Sequence, residues 1–246
     1  MFSTRNLIVI LLSFYSPFVF AEEIFCKSTQ EKIEKNIFGL ADFSMEEPQT
    51  IELLEDLGIE WVRLEIRWDY VQPERGKYLW EKTDRIIKNL RKKNINIQVV
   101  VDHPPVWAHP IESFNRDLSQ FMETLVVRYK PLGVRYWEIF NEPNLPGHGW
   151  PFQYADKEFA VHFYSNVLET ANKAIRNHDL GAVILNAGLS PEGIDYSFFL
   201  EEMYKKIGKD CFDILAFHPY GKIENLSELT SGIRKIMEKY PENFHM

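Results

Sequence analysis

The chain has 246 residues, with 28 Lys and Arg against 36 Asp and Glu, for a formal net charge of −8. Phosphate binding needs a basic surface, so this balance speaks against a nucleic-acid partner. The length suits one large domain or two small ones, and an apolar share of 45% is enough for a sizeable core.

The N-terminus reads as a secretory signal. Arg5 supplies the positive start, and the apolar run from Leu7 to Phe20 is broken only by Ser13, Ser16 and Pro17. Ala21 stands before Glu22 and Glu23, so cleavage after Ala21 is expected, leaving 22–246 as one domain, secreted or periplasmic, with no membrane partner afterwards. The run is short and broken for a membrane span, although an uncleaved anchor is the alternative. The 2 cysteines, Cys26 and Cys211, either pair in an oxidising compartment or stay as buried thiols.

From there, strand-like and helix-like patterns alternate. The spacing predicts strand 36–44, helix 48–57, strand 60–68, helix 80–93, strand 95–102 and helix 113–129. It continues with strand 134–140, helix 157–177, strand 182–187, helix 196–207, strand 212–217 and helix 226–240. Such alternation argues for a parallel α/β sheet, either open or closed into a barrel. No Gly-rich phosphate loop opens a helix, which disfavours a nucleotide-binding open sheet. Polar residues fall at strand exits throughout: Asp42, Arg67 and Asp69, Asp102 and His103, Asn141 and Glu142, Asn186, His218 and Tyr220. In a (β/α)8 TIM barrel those exits ring one mouth, where active sites lie. Only about six of the eight units such a barrel needs are present. The expectation is therefore an incomplete barrel: a truncated product, a fragment, or a part completed by another chain.

The most informative segment is Arg135-Tyr136-Trp137-Glu138-Ile139-Phe140-Asn141-Glu142-Pro143-Asn144. Strand alternation would put Tyr136, Glu138, Phe140 and Glu142 on one face and Trp137 and Ile139 on the other. An Asn-Glu pair at such an exit is either a solvated turn or a proton donor beside a hydrogen-bonding amide.

Three segments together resemble the clan of retaining glycoside hydrolases built on (β/α)8 barrels, families 39 and 5 above all. They are Trp137 to Asn144; Val62 to Trp68 with Val71 to Tyr78 and Asp84; and Phe212 to Gly221. The resemblance implies that Glu142 is the general acid/base and that Asn141 contacts the sugar 2-hydroxyl. It implies that His218 and Tyr220 line the sugar subsite and that Arg63 orients the nucleophile. That nucleophile belongs on a seventh strand, beyond the six read here, and Glu242 falls at the wrong end of the barrel to replace it. The implied activity is retaining hydrolysis of O-glycosidic bonds in a poly- or oligosaccharide, with this chain inactive alone. The alternative is a non-catalytic glycan-binding protein derived from such an enzyme.

Several other residues have two readings. Arg63 and Glu65 share a strand face, as an ion pair supporting the site or a purely structural one. His103 joins the substrate-binding candidates at the third strand exit. Asp102, His103 and His109 lie on a Pro-rich loop, poor spacing for a metal, so no metal and no cofactor are expected. Trp107 and Trp150 either stack on sugar rings or pack their loops. Asn225-Leu226-Ser227 is a glycosylation sequon.

Overall fold

The computed structural model describes residues 9–10, 39–41, 48–109, 111–145, 147, 156–207, 211–220 and 226–240. The signal segment apart from 9–10, Cys26, Asp42, Trp150, Gly221, Asn225 and Glu242 lie outside the described residues.

Seven strands are described: β1 (Val9–Ile10), β2 (Gly39–Ala41), β3 (Trp61–Arg67), β4 (Asn96–Asp102), β5 (Tyr136–Ile139), β6 (Val183–Asn186) and β7 (Ala216–Phe217). β2 to β6 form one parallel sheet in chain order, and β1 pairs in parallel with β7. Single bridges, Leu185 to Ile214 and Leu189 to Phe217, carry β6 onto β7. The helices are α1 (Pro48–Asp56), α2 (Trp68–Val71), α3 (Glu81–Lys92), α4 (Ile111–Tyr129), α5 (Lys157–His178), α6 (Tyr196–Ile207) and α7 (Leu226–Lys239). A parallel sheet ordered as the chain runs, with a helix in each crossover, is the arrangement of an incomplete (β/α)8 barrel. No helix among the described residues is long and apolar enough to cross a membrane.

The side chains sort by parity along each strand. Val62, Leu64 and Ile66 of β3, Ile97, Val99 and Val101 of β4, and Trp137 and Ile139 of β5 point outward into the main core under the helices. Arg63, Gln98 and Glu138 point inward, and both Arg63 and Gln98 donate hydrogen bonds to Glu138. Leu185, Ile214 and Ala216 make a small separate apolar cluster. Two of the predicted strands are altered. Residue 68 leaves the predicted strand 60–68 to open α2, because Trp68 buries its indole against Phe121, stacked at 4.9 Å, and donates its N–H to Gln72 Oε1. The 212–217 strand shortens to β7, because side chains replace backbone in its ladder. Ile184 N donates to Asp213 Oδ2 at 2.8 Å, and Ala216 N donates to Asn186 Oδ1 at 2.7 Å.

Ion pairs latch α4 to the units before it. Arg75 donates to both oxygens of buried Asp117. Asp84 of α3 accepts from Arg128 Nε at 2.8 Å, Arg128 Nη2 at 2.6 Å and Tyr129 Oη at 3.1 Å. The Arg128 hydrogen bonds outweigh partial burial and hold the Asp84 carboxyl below the usual carboxylate range. A depressed folded-state value adds stability above the unfolded value and loses it as pH falls through the folded one. Asp84→Ala should therefore cost about 2 kcal/mol in urea unfolding at pH 7. The difference from the parent chain should shrink as pH falls below the ordinary carboxylate range.

Candidate active site

Glu138 is fully buried inside the sheet, and hydrogen-bond donors meet both its oxygens. Arg63 donates from Nε to Oε2 at 2.7 Å and from Nη2 to Oε1 at 2.8 Å. Gln98 Nε2 donates to Oε2 at 2.7 Å, and Gly188 N donates to Oε1 at 3.1 Å. Burial pushes the Glu138 carboxyl up, but the Arg63 charge and hydrogen bonds outweigh it, and the group is held below the usual range. Arg63 thus takes Glu138 as its direct partner, where the sequence suggested Glu65. Glu65 turns to His103, with Oε1 at 3.5 Å from Nδ1. From this clamp Arg63 Nη2 also donates to Asn141 Oδ1 at 2.9 Å. With its oxygen engaged there, Asn141 has its amino group left as a donor for a ligand.

Past β5 the strand pattern breaks. Phe140 and Glu142 both adopt left-handed backbone, at φ 67° and 45°. For non-glycine residues this costs about 1–3 kcal/mol each and clusters at functional sites. One consequence corrects the alternation argument. Phe140 does not share a face with Glu138; it swings into the outer core with Trp137 and Ile139, its ring 6.2 Å from that of Phe114. The strain is held by backbone bonds, Phe140 N to Val101 O at 2.9 Å and Glu142 N to Gly188 O at 3.1 Å. It is held as well by Asn144, which is fully buried. Its Nδ2 donates to the carbonyls of Ser190, Glu192 and Ile194, and its Oδ1 accepts from Ser190 N at 2.9 Å. The loops after β5 and β6 are therefore stitched into one unit.

The turn delivers Glu142 to the mouth. Its Oε1 lies 2.7 Å from His218 Nδ1, and both residues are 4% exposed. His218 leaves the end of β7, where its N–H donates to Leu189 O at 2.8 Å. Tyr220 follows, 41% exposed, its ring 5.2 Å from the imidazole. Of the residues chosen from the sequence, Arg63, inside β3, bonds Asn141 past the end of β5, and Glu142 bonds His218 past the end of β7, with Tyr220 alongside. His103 stands at the exit of β4 in left-handed backbone, φ 55°, beside Glu65 and Asp102. Trp107 makes packing contacts: Nε1 donates to Gln72 O at 3.1 Å, its edge meets Trp68, and Arg75 lies 4.8 Å over its ring. His109 bonds Pro104 O at 3.2 Å, whereas among the described residues Glu65, Asp102 and His103 bring ligand atoms within 4.8 Å of one another. Cys211 Sγ lies 3.5 Å from Ile207 O.

Glu138, Gln98, Asn144 and Gly188 escaped the sequence reading. Charged and amide residues in mid-strand, at inward positions of an apolar stretch, were the available signal for Glu138 and Gln98.

The family profile described as Cellulase (glycosyl hydrolase family 5) matches residues 17–240. The chain is similar to a family 39 glycoside hydrolase from the gut symbiont Bacteroides cellulosilyticus WH2, with TM-score 0.55 and 20% identity. That match covers 74% of this chain and 38% of the other. A family 1 β-glucosidase from Thermotoga maritima matches at TM-score 0.48 and 20% identity, over 58% of this chain and 36% of that one. At such identities the family 39 likeness concerns the fold alone. The chain spans less than two-fifths of the length of either protein, at 38% and 36%. No curated protein matches it.

Asp102 offers a pH test. Burial pushes its carboxyl up to about 7, against the opposing hydrogen bond from His103 N. A carboxyl raised on folding has its contribution in full below the unfolded value and loses it as pH rises through the folded one. The chain should therefore lose stability between about pH 4 and pH 7 on this account, on the order of 4 kcal/mol. Asp102→Asn should flatten that slope in urea titrations run across the same range. An unchanged slope would mean that Asp102 ionises freely.

Proposed function

The chain belongs to glycosyl hydrolase family 5, and on that footing we propose that it carries the acid/base half of a retaining glycosidase acting on O-glycosidic bonds of a poly- or oligosaccharide. The observation behind this reading is the strained turn that sets Glu142 against His218 at the mouth, with Asn141 beside it. Glu142 donates its proton to the glycosidic oxygen and later takes one from water; Asn141, fixed by Arg63, meets a sugar hydroxyl. Tyr220 and His103, both partly exposed at strand exits, line the sugar subsite.

Retention requires a second carboxylate about 5 Å from the first, acting as nucleophile. Glu138 cannot serve, since Arg63, Gln98 and Gly188 occupy both its oxygens. We therefore propose that the 246-residue chain alone cleaves negligibly. The second reading is a glycan-binding protein that keeps the mouth without turnover. The Arg5 to Ala21 segment supports export to the periplasm or the medium.

Assays on activated aryl glycosides test both. The chain alone should show no turnover above background. Fusion to the last two strand–helix units of a family 5 relative should give hydrolysis with retained anomeric configuration, followed by NMR. In that fusion Glu142→Gln should keep oligosaccharide binding and slow a poor leaving group by about 10² to 10⁴-fold. Azide should rescue the second step, because it attacks without a general base. Unchanged turnover in Glu142→Gln would remove Glu142 as the acid. Binding by the chain with no turnover in the fusion would favour the glycan-binding reading.

A further inference from the structure

We propose that Gly188 is the positioning residue of the Glu142–His218 pair, its missing side chain being the space in which the His218 imidazole sits. This rests on reading Glu142 as the proton donor.

Gly188 follows β6 and touches both glutamates of the β5 segment through its backbone, Glu138 at its carboxylate and Glu142 at its backbone N–H. Its N–H donates to Glu138 Oε1 at 3.1 Å, and its carbonyl accepts from Glu142 N at 3.1 Å. On its remaining side lies the imidazole. A Cβ on this residue would fall 2.3 Å from His218 Nε2, 2.5 Å from Cδ2 and 2.9 Å from Cε1. Contacts that short are repulsive, so the ring or the backbone would have to move.

The ring has little freedom to yield. Nδ1 is tied to Glu142, the residue's N–H is tied to Leu189 O, and Tyr220 flanks it. Backbone conformation does not explain the glycine either. Gly193 nearby has φ 83°, a left-handed value that favours glycine, whereas Gly188 is not among the residues with positive φ. Space is what the position requires. By admitting the Nε2 edge of the ring, Gly188 leaves Nδ1 as the nitrogen that meets Glu142. Any side chain there displaces the imidazole from the carboxylate that it holds.

The test uses the 246-residue chain and no substrate. With 15N-labelled histidine, the Nδ1 resonance of His218, assigned by its loss in His218→Asn, should report the bond to Glu142. Gly188→Ala should abolish or shift that signature, which a purely structural change elsewhere would leave in place. Gly188→Ala should also lower the thermal midpoint by about 4 °C or more. In a His218→Ala background the same substitution should be neutral or raise the midpoint, since alanine restricts the unfolded chain more than glycine does. If Gly188→Ala fails to fold, the double variant should recover folding. A retained Nδ1 signature, or a midpoint loss equal in both backgrounds, would overturn the proposal. Neither readout depends on hydrolysis, so failure here is distinct from failure of the acid/base assignment.

Discussion

The site hangs on one buried ion pair. Glu138 has no access to water, and an uncompensated carboxylate there would cost several kcal/mol even after relaxation. Its partners come from three other strand segments: Arg63 on β3, Gln98 on β4 and Gly188 just past β6. Satisfying one charge therefore sets the relative register of four consecutive units. A slip of one residue in any of them would turn its inward polar group into the apolar outer core. The outer core gives most of the burial, but the outward positions of β3 and β4 are mutually similar aliphatic residues that specify register less sharply.

From that clamp the geometry passes outward. Arg63 extends one further hydrogen bond to Asn141, so the amide at the mouth inherits its orientation from the buried pair. The next step is strained: Phe140 and Glu142 both leave the ordinary strand region. Such strain persists only where the surroundings over-determine it. Here Phe140 is anchored by its ring in the outer core, and Asn144 binds the loop after β6 with four hydrogen bonds. Gly193 completes the fit, since a Cβ there would lie 2.4 Å from the Asn144 carbonyl.

Periodicity made the six long helices legible to within about two residues, α6 and the start of α5 falling where the sequence put them, but not the single-turn α2. The mouth was legible because polar residues recur at one strand exit after another. What escaped depended on partners distant in sequence. Glu65 stands closer to Arg63 in the chain than Glu138 does, yet the register of β4 and β5 brings Glu138 under the guanidinium. The face of Phe140 was misjudged because alternation assumes extended backbone, and a positive φ is not written in the residue type. β7 came out short because Asp213 and Asn186 take over ladder bonds, which a β-propensity reading cannot anticipate. Gly188 carries no sequence signal beyond being glycine. The cleavage site at Ala21, the Cys26 pairing and Trp150 lie outside the described residues.

Two carboxylates on one segment illustrate how environment divides labour. Glu138 receives hydrogen bonds on both oxygens and a fixed positive charge, so it is locked as an anion and unavailable to a substrate. Glu142, just beyond the strand, meets one imidazole and lies at the exit ring. Nothing in the residue type separates them. The separation comes from the backbone: regular strand directs Glu138 inward, and the left-handed turn redirects Glu142 toward the mouth. That turn is affordable only because the clamp behind it and the Asn144 stitch beside it are rigid. The chemistry proposed for Glu142 is thus a property of the β5–β6 unit as a whole rather than of the Asn-Glu pair that first drew notice.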